Sequence, residues 1–451
     1  MTSSLRRCPR GESIARILCA ALDAVDPARA VSRYLRLQGA SLDVDGRFYD
    51  LASFRRIYLV GAGKAGAPMA RAAAEALGPY LTRGLVIVKD GYADLNGETA
   101  DPRIELIQAG HPLPDERGAA ATHRIVDLVR SAGPDDLLIC VVSGGGSALL
   151  TSPAPGVSLS DLQSLTTALL ARGAAIGEIN ALRKHLDSVK GGGLARLASH
   201  TPSIVLILSD VIGDPLDVIA SGPFCADSST YQDAWKVLER CNLAQSAPPA
   251  ILELLRRGLR GEIPETPKPG DPLFEHVQHV LVGSNLLAAR AAQQQAQQEG
   301  FQALIMTTSL QGEARQAGLY LSSLSCQVEA SGCPVSPPAC LIAGGETTVT
   351  LTGKGLGGRN QELALAAVPG LDGLSGAVLV TLATDGGDGP TDAAGAVVTG
   401  ETLSRARRLG LDPQAFLAEN DSYHFFAPLD DLLRPGPTCT NVNDLAFVFN
   451  Y

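Results

Sequence analysis

Short apolar runs recur along this chain, and most of them end in glycine or in a polar loop. They lie at 56–60 (RIYLV), 84–89 (GLVIVK), 104–108 (IELIQ), 136–142 (DLLICVV) and 203–209 (SIVLILS). Longer Ala- and Leu-rich patterns separate them, as at 66–77 and 117–130. Such alternation predicts parallel strands joined by crossover helices, because each strand end must be carried back across the sheet before the next begins. The expected fold class is α/β, with a Rossmann-like doubly wound N-terminal domain. Residues 160–171 (SDLQSLTTALLA) predict a further helix, with a capping box running from Ser160 to Gln163.

A chain of 451 residues exceeds what one hydrophobic core serves. Composition changes after residue 245. The stretch 256–272 (RRGLRGEIPETPKPGDP) is rich in proline, glycine and charge and has no periodicity. Apolar runs resume at 279–283, 302–306, 339–343 and 377–382, with an Ala/Gln helical pattern at 285–299. The expected division is a domain over 1–245, a connector over 246–275 and a second α/β domain over 276–451. The active site is expected in the cleft between the two domains.

A net charge of −10 disfavours nonspecific attraction to nucleic acid or to an anionic membrane. No run approaches the roughly 18 apolar residues of a membrane span. An anionic ligand must therefore be captured by local donors. Nine cysteines are scattered without a C-x-x-C pair, and Cys326, Cys333 and Cys340 have no histidine near them, so reduced thiols are expected. Cytoplasmic is the default location, although Arg6, Arg7 and Arg10 leave a cleaved organellar leader open.

Chemistry concentrates in the loops after the strands, where open α/β sheets bind ligands. The first loop, GAGKAG (61–66), has the G-x-G-x-x-G spacing of a dinucleotide fingerprint at Gly61, Gly63 and Gly66, but it also carries Lys64. The second, SGGGS (143–147), sets Ser143, Gly144, Gly145, Gly146 and Ser147 in a row, suited to cradling phosphate oxygens with backbone N–H groups and hydroxyls. In the third, Asp210 ends an apolar strand, followed by Asp214 and Asp217. Upstream of it, Arg183, Lys184 and Lys190 read equally as a solvated helix face or as ligand contacts.

The second half contributes Glu346, Lys354, Arg359 and Asn360 around GKGLGGRNQE, then Asp385, Asp388 and Asp392 in TDGGDGPTD. A guanidinium there can clamp a carboxylate or phosphate. Carboxylates among glycines suit Mg²⁺, and Asx-turns are the competing explanation. A polar loop over 436–446 holds Thr438, Thr440, Asn441, Asn443 and Asp444.

Hydride transfer rests on the first loop and on Asp90, which lies 29 residues beyond Gly61 rather than the expected ~20. Phosphoryl transfer uses more of the chain: cradles, cations and carboxylates. The G-x-x-x-x-G-K-[ST] signature of P-loop enzymes is absent.

Taken in order, GAGKA, GHPLPDERG (110–118), SGGGSALL, KGGGLA (190–195), LSDVIGDPLDVIASGP (208–223), GGRNQELAL (357–365), TDGGDGPTDAAG (384–395) and TNVNDL (440–445) resemble the glycerate 2-kinase family. Its members join a glycerate-kinase N-terminal domain to a C-terminal MOFRL domain, and some relatives are labelled hydroxypyruvate reductase. The resemblance implies ATP-dependent phosphorylation of D-glycerate at O2 with Mg²⁺, and a small-molecule substrate rather than nucleic acid or membrane; a homodimer is the expected assembly. It makes Lys64 the leading catalytic cation, Arg359 the second, and Gly63 with Ser143–Ser147 the nucleotide loop. Apart from the resemblance, the strand-end aspartates Asp210 and Asp385 are the two expected candidates for general base, between which the sequence does not choose, and Asp210, Asp385 and Asp388 are the metal candidates. An NAD(P)H-dependent hydroxypyruvate reductase is the alternative. One departure is Cys439, standing where the family carries glycine; if that glycine serves a positive φ, the C-terminal loop is strained there.

Overall fold

The computed structural model describes residues 1–93 and 101–451. They form two compact units, Pro27–Val282 and a second made of Met1–Asp26 with Gly283–Tyr451. The first unit opens with a small antiparallel sheet of β1 (Leu35–Gln38), β2 (Ser41–Val44) and β3 (Arg47–Asp50). Its main sheet holds β4 (Arg56–Ala62), β5 (Arg83–Lys89), β6 (Ile104–Ala109), β7 (Asp136–Val142), β8 (Ser203–Leu208) and β9 (Val277–Gly283), in the order β6-β5-β4-β7-β8-β9. The pairings β4/β5, β5/β6, β4/β7 and β7/β8 are all parallel.

The chain lays β5 and β6 to one side of β4 and β7, β8 and β9 to the other. The strand order thus reverses between β4 and β7, which makes the crevice at their C-terminal ends the place where such sheets take ligands. β7 and β8 are buried along their whole length, as strands covered on both faces must be. Tyr58, Val60, Leu138, Cys140, Val205 and Ile207 point to one face, following the period of two along each strand. There they pack against Ile125 and Val129 of the helix Glu116–Ser131.

A separate helical cluster joins Leu159–Ala171, Ile176–His185, Tyr231–Arg240 and Pro249–Leu259 through Leu165, Leu182, Leu238, Ile251 and Leu255. The expected connector is therefore partly helix: Pro249–Leu259 presents one apolar face to this cluster. Strand β9, expected to open the second domain, instead extends the first sheet beside β8. The capping box also falls elsewhere. Ser158 is the N-cap and Asp161 its partner, while Gln163 donates to the carbonyl of Pro114 at 2.7 Å.

The second unit carries β10 (Gln302–Leu310), β11 (Ala339–Gly345), β12 (Ala377–Ala383), β13 (Gly395–Thr399), β14 (Leu432–Leu433) and β15 (Asp444–Asn450), ordered β10-β11-β15-β12-β13-β14. Only β10 and β11 run parallel; β15 inserts antiparallel between β11 and β12. Residues 1–26 belong here, not with the first domain as the sequence division had it. The helix Gly11–Ala24 packs on Asn285–Gln298, and Arg16 pairs with Glu299 at 2.6 Å. Arg10 donates to the carbonyl of Glu299. Cys340 is buried in β11, while Cys326 and Cys333 are exposed. No helix among the described residues is long and apolar enough to cross a membrane.

The N-terminal segment is tied down by a buried ion pair. Asp431 is fully buried, takes Arg405 Nη1 at 2.6 Å, and accepts both the backbone N–H and the hydroxyl of Ser4, at 2.7 and 2.8 Å. Breaking a buried pair strands its partner charge away from water. Asp431→Ala is expected to cost about 3 kcal/mol and to free the first helix. Chemical denaturation, with proteolysis before residue 11, measures both.

Candidate functional site

In the first unit, three adjacent strands deliver three kinds of chemistry to one edge of the sheet. β4 leads into Gly63 and Lys64, β7 into Ser143–Gly146, and β8 into Ser209 and Asp210. Two of the loops are stitched together directly. The N–H of Lys64 donates to the carbonyl of Gly144 at 2.9 Å, that of Ser143 to Ala62, and that of Ala65 to Ser143 Oγ at 3.0 Å. A Cβ on Gly61 would meet the carbonyl of Val141 at 2.2 Å, and one on Gly63, at φ +146°, would meet Ser143 Oγ at 2.0 Å. The first two glycines of the fingerprint are thus explained by the approach of one loop to the other.

Gly144 serves a different neighbour, since a Cβ there would lie 2.0 Å from Asp210 Oδ2. The carboxylate of Asp210 is pressed against the glycine loop. Burial raises its pKa above the usual carboxylate range, and the charge of Lys64 partly offsets that rise. The N–H groups of Gly144 and Gly145 have no hydrogen-bond partner among the described residues. Gly145, left-handed at φ +83°, lies beside the side chains of His111 and Lys64. Gly146 starts the short helix Gly146–Leu149 and packs against Ala220.

The serine hydroxyls are more committed than the sequence suggested. Ser143 is buried and holds the Lys64 loop, whereas Ser147 shares a hydrogen bond with Ser221 at 2.9 Å, and Ser221 donates to Asn180.

Sequence reasoning passed over His111, which follows β6 within the GHPLPDERG segment. Burial drops its pKa to about 4, assisted by the nearby charges of Lys64, Lys89 and Arg183. It is therefore a neutral imidazole at neutral pH, in a strongly positive setting. The signal lay in its position after a strand, which no fingerprint scores.

In the second unit, Arg359 is the first residue of the helix Arg359–Leu371 and reaches Asp444 at the start of β15. Its Nη2 lies 3.0 Å from Asp444 Oδ1 and 3.4 Å from Glu346, which follows β11. Pairing Gly345 and Ala383 with Asp444 brings the ends of β11 and β12 to that point. Arg359 is held there by two carboxylates.

The aspartates of TDGGDGPTD have separate tasks. Asp388 is fully buried, and its two oxygens accept from the N–H groups of Asn360 and Gln361, at 3.1 and 2.9 Å. It caps the helix that carries Arg359, so its metal-ligand assignment gives way to a capping one. Asp385 is exposed and accepts from the N–H of Gly387; Asp392 is bound by Tyr423 and Arg434. No three His, Cys, Asp or Glu side chains converge as a metal site among the described residues.

In the C-terminal loop, Thr438 donates to the carbonyl of Thr384 and Thr440 to that of Val25. Cys439 stands at φ +60°, a conformation that costs an L-residue about 1–2 kcal/mol.

Two outcomes follow. Burial raises Asp388 to about 6, so the folded state binds the proton more tightly than the unfolded chain. The stability owed to that proton is present in full below about pH 4 and is lost as pH rises through about 6. Urea unfolding across that range should show the decline, and Asp388→Asn should flatten it. Cys439→Gly should raise stability by about 1 kcal/mol, read by thermal melting.

Residues 13–256 match the domain family DUF4147, a domain of unknown function, and residues 339–444 match the MOFRL family. The chain is 41% identical to a glycerate 2-kinase of Pyrococcus horikoshii, covering 95% of each chain. It is 43% identical to a D-glycerate 2-kinase of Thermotoga maritima, over 94% of each. A crystal structure of glycerate kinase from Thermotoga maritima superposes with a TM-score of 0.87 at 40% identity, covering 98% of this chain and 100% of that one. Both domain families match this chain, these relatives are similar to it over nearly its whole length, and this chain belongs to the glycerate 2-kinase family.

Proposed function

We propose that this chain transfers the γ-phosphoryl group of ATP to O2 of D-glycerate, giving 2-phosphoglycerate and ADP. The carrying observation is that Lys64 and Asp210 flank the Gly144–Gly145 loop on three neighbouring strands at the switch point of the parallel sheet. Unpartnered backbone N–H groups and an ammonium suit the spreading negative charge of a phosphoryl group in transit. Asp210 is the better general base of the two candidates. Its burial raises its affinity for a proton, which is what accepting one from a hydroxyl requires. Asp385, by contrast, faces solvent and braces a turn.

In this mechanism the glycerate 2-hydroxyl oxygen attacks phosphorus in line, and Asp210 accepts its proton as the bond forms. Lys64 and the loop N–H groups hold the phosphoryl oxygens, and ADP departs. Arg359, held by Asp444 and Glu346, is the second unit's own candidate for binding an anion. Mg²⁺ bound with ATP would supply charge neutralisation. It needs only one or two protein carboxylates beside phosphates, so the lack of a three-ligand cluster among the described residues does not conflict with it. Of the first unit's carboxylates, Asp210 beside the glycine loop would hold it.

Incubation with ATP, Mg²⁺ and D-glycerate, followed by ³¹P and ¹³C NMR, should show phosphate on carbon 2. With hydroxypyruvate and NADH, the nicotinamide absorbance should not fall. Phosphate on carbon 3, or NADH consumption without phosphoglycerate, would overturn the reading. Lys64→Ala should lower kcat by at least about 10²-fold with the melting temperature unchanged.

A further inference from the structure

The helix Ile176–His185 carries four polar side chains near its end, and three of them are matched. Asn180 accepts from Ser221 at 3.2 Å. Lys184 pairs with Asp217 at 2.9 Å and Asp227 at 3.3 Å. His185 contacts the carbonyl of Ala181 and the carboxylate of Glu265. Lys190, just downstream, is matched as well: it takes Asp187 at 2.6 Å and the carbonyl of Leu150 at 2.8 Å. Arg183 is the exception. None of its donors has an acceptor, and no acid pairs with it, among the described residues.

Its surroundings make this informative. Arg183 is half-buried and lines a cavity together with Ser147, Thr151, Leu165, Leu169 and Ile179. Asp187 also borders the cavity but is already spent on Lys190. Burial alone disfavours the guanidinium charge, yet an arginine keeps its proton in proteins. A half-buried cation without a counter-charge is poorly solvated, and an anion that enters with a substrate completes it. The cavity shares Ser147 with the glycine loop, and both Arg183 and Lys64 act on His111, so Arg183 belongs to the same end of the sheet.

We propose that Arg183 binds the carboxylate of the acceptor hydroxy acid, leaving the glycine loop and Lys64 to the phosphoryl group. This rests on the kinase reading above. The planar fork of guanidinium donors matches a carboxylate in two parallel hydrogen bonds. The leucine and isoleucine wall suits the carbon skeleton of a small acid better than a hydrated polyphosphate. The loop N–H groups of Gly144 and Gly145 remain for phosphate.

The test compares the full-length protein with Arg183→Met and Arg183→Lys. Because the charge is unmatched in the free protein, Arg183→Met should melt no lower than the parent. Titration calorimetry with D-glycerate alone should show affinity reduced by about 30-fold or more in Arg183→Met, the scale of losing a charge-assisted pair. Arg183→Lys should restore little of it, since a point charge lacks the fork. Affinity for Mg²⁺ with a non-hydrolysable ATP analogue should not change. The preference for D-glycerate over glycerol in kcat/KM should collapse in Arg183→Met.

A loss of nucleotide affinity with glycerate unaffected would assign Arg183 to phosphate and overturn the proposal. So would unchanged affinity for both, or a lowered melting temperature with both affinities falling together. If the parent binds D-glycerate but forms no phosphoglycerate, the kinase reading fails while the binding comparison still decides the role of Arg183.

Discussion

The closeness of β4 to β7 at their C-terminal ends is the constraint on which the first unit depends. These strands meet where the order of the parallel sheet reverses, and side chains there would force the two loops apart. Gly61 against Val141 and Gly63 against Ser143 permit the contact, and the bonds from Lys64 to Gly144 and from Ala65 to Ser143 lock it. Lys64 is held in place by that junction. A dinucleotide fingerprint and this loop junction use the same letters because both need backbone to come close, to a ligand in one case and to backbone in the other.

Charge is handled differently inside the units than at the strand ends. Lys184, Lys190, Arg405 and Asp431 are buried with partners at hydrogen-bond distance, and they hold helices and the N-terminal segment in place. At the crevice the matching is incomplete: Asp210 sits half-buried against glycine, and among the described residues Gly144 and Gly145 keep N–H groups without partners and Arg183 has no acid. Groups left short of partners in a folded protein are what a charged substrate completes. The second unit reverses the emphasis. Arg359 is pinned by Asp444 and Glu346, and its helix is capped by Asp388, so that cation is presented by a fully matched support.

Much of this could be read from the residue pattern, and the failures have physical causes. The apolar runs at 84–89 and 136–142 became β5 and β7 nearly to the residue, since a strand buried on both faces is apolar throughout. Asp388 was taken for a metal ligand because an aspartate among glycines looks the same whether it faces an ion or the N–H groups of a helix 27 residues away. His111 and Arg183 were undervalued because neither stands in a glycine-rich motif. Their meaning comes from burial and from which neighbours are absent, and neither is written in local sequence. Cys439 is the opposite case: the expected glycine position proved to have φ +60°, a backbone demand visible from one letter.

Taken alone, the sequence determined the alternation of strands and helices, the placing of chemistry after the strands, and the choice of phosphoryl transfer over hydride transfer. Those follow from hydrophobic periodicity and from residue types in fixed order, which are local properties. Tertiary structure alone decided that residues 1–26 join the second unit, that β9 closes the first sheet, and that β15 runs antiparallel through the middle of the second. It also decided that Asp210 lies against the glycine loop, that Asp388 caps a helix, and that Arg183, half-buried, has no acid beside it among the described residues. Those depend on contacts between residues far apart in the chain, where burial and hydrogen-bond matching set the energy and local propensity does not.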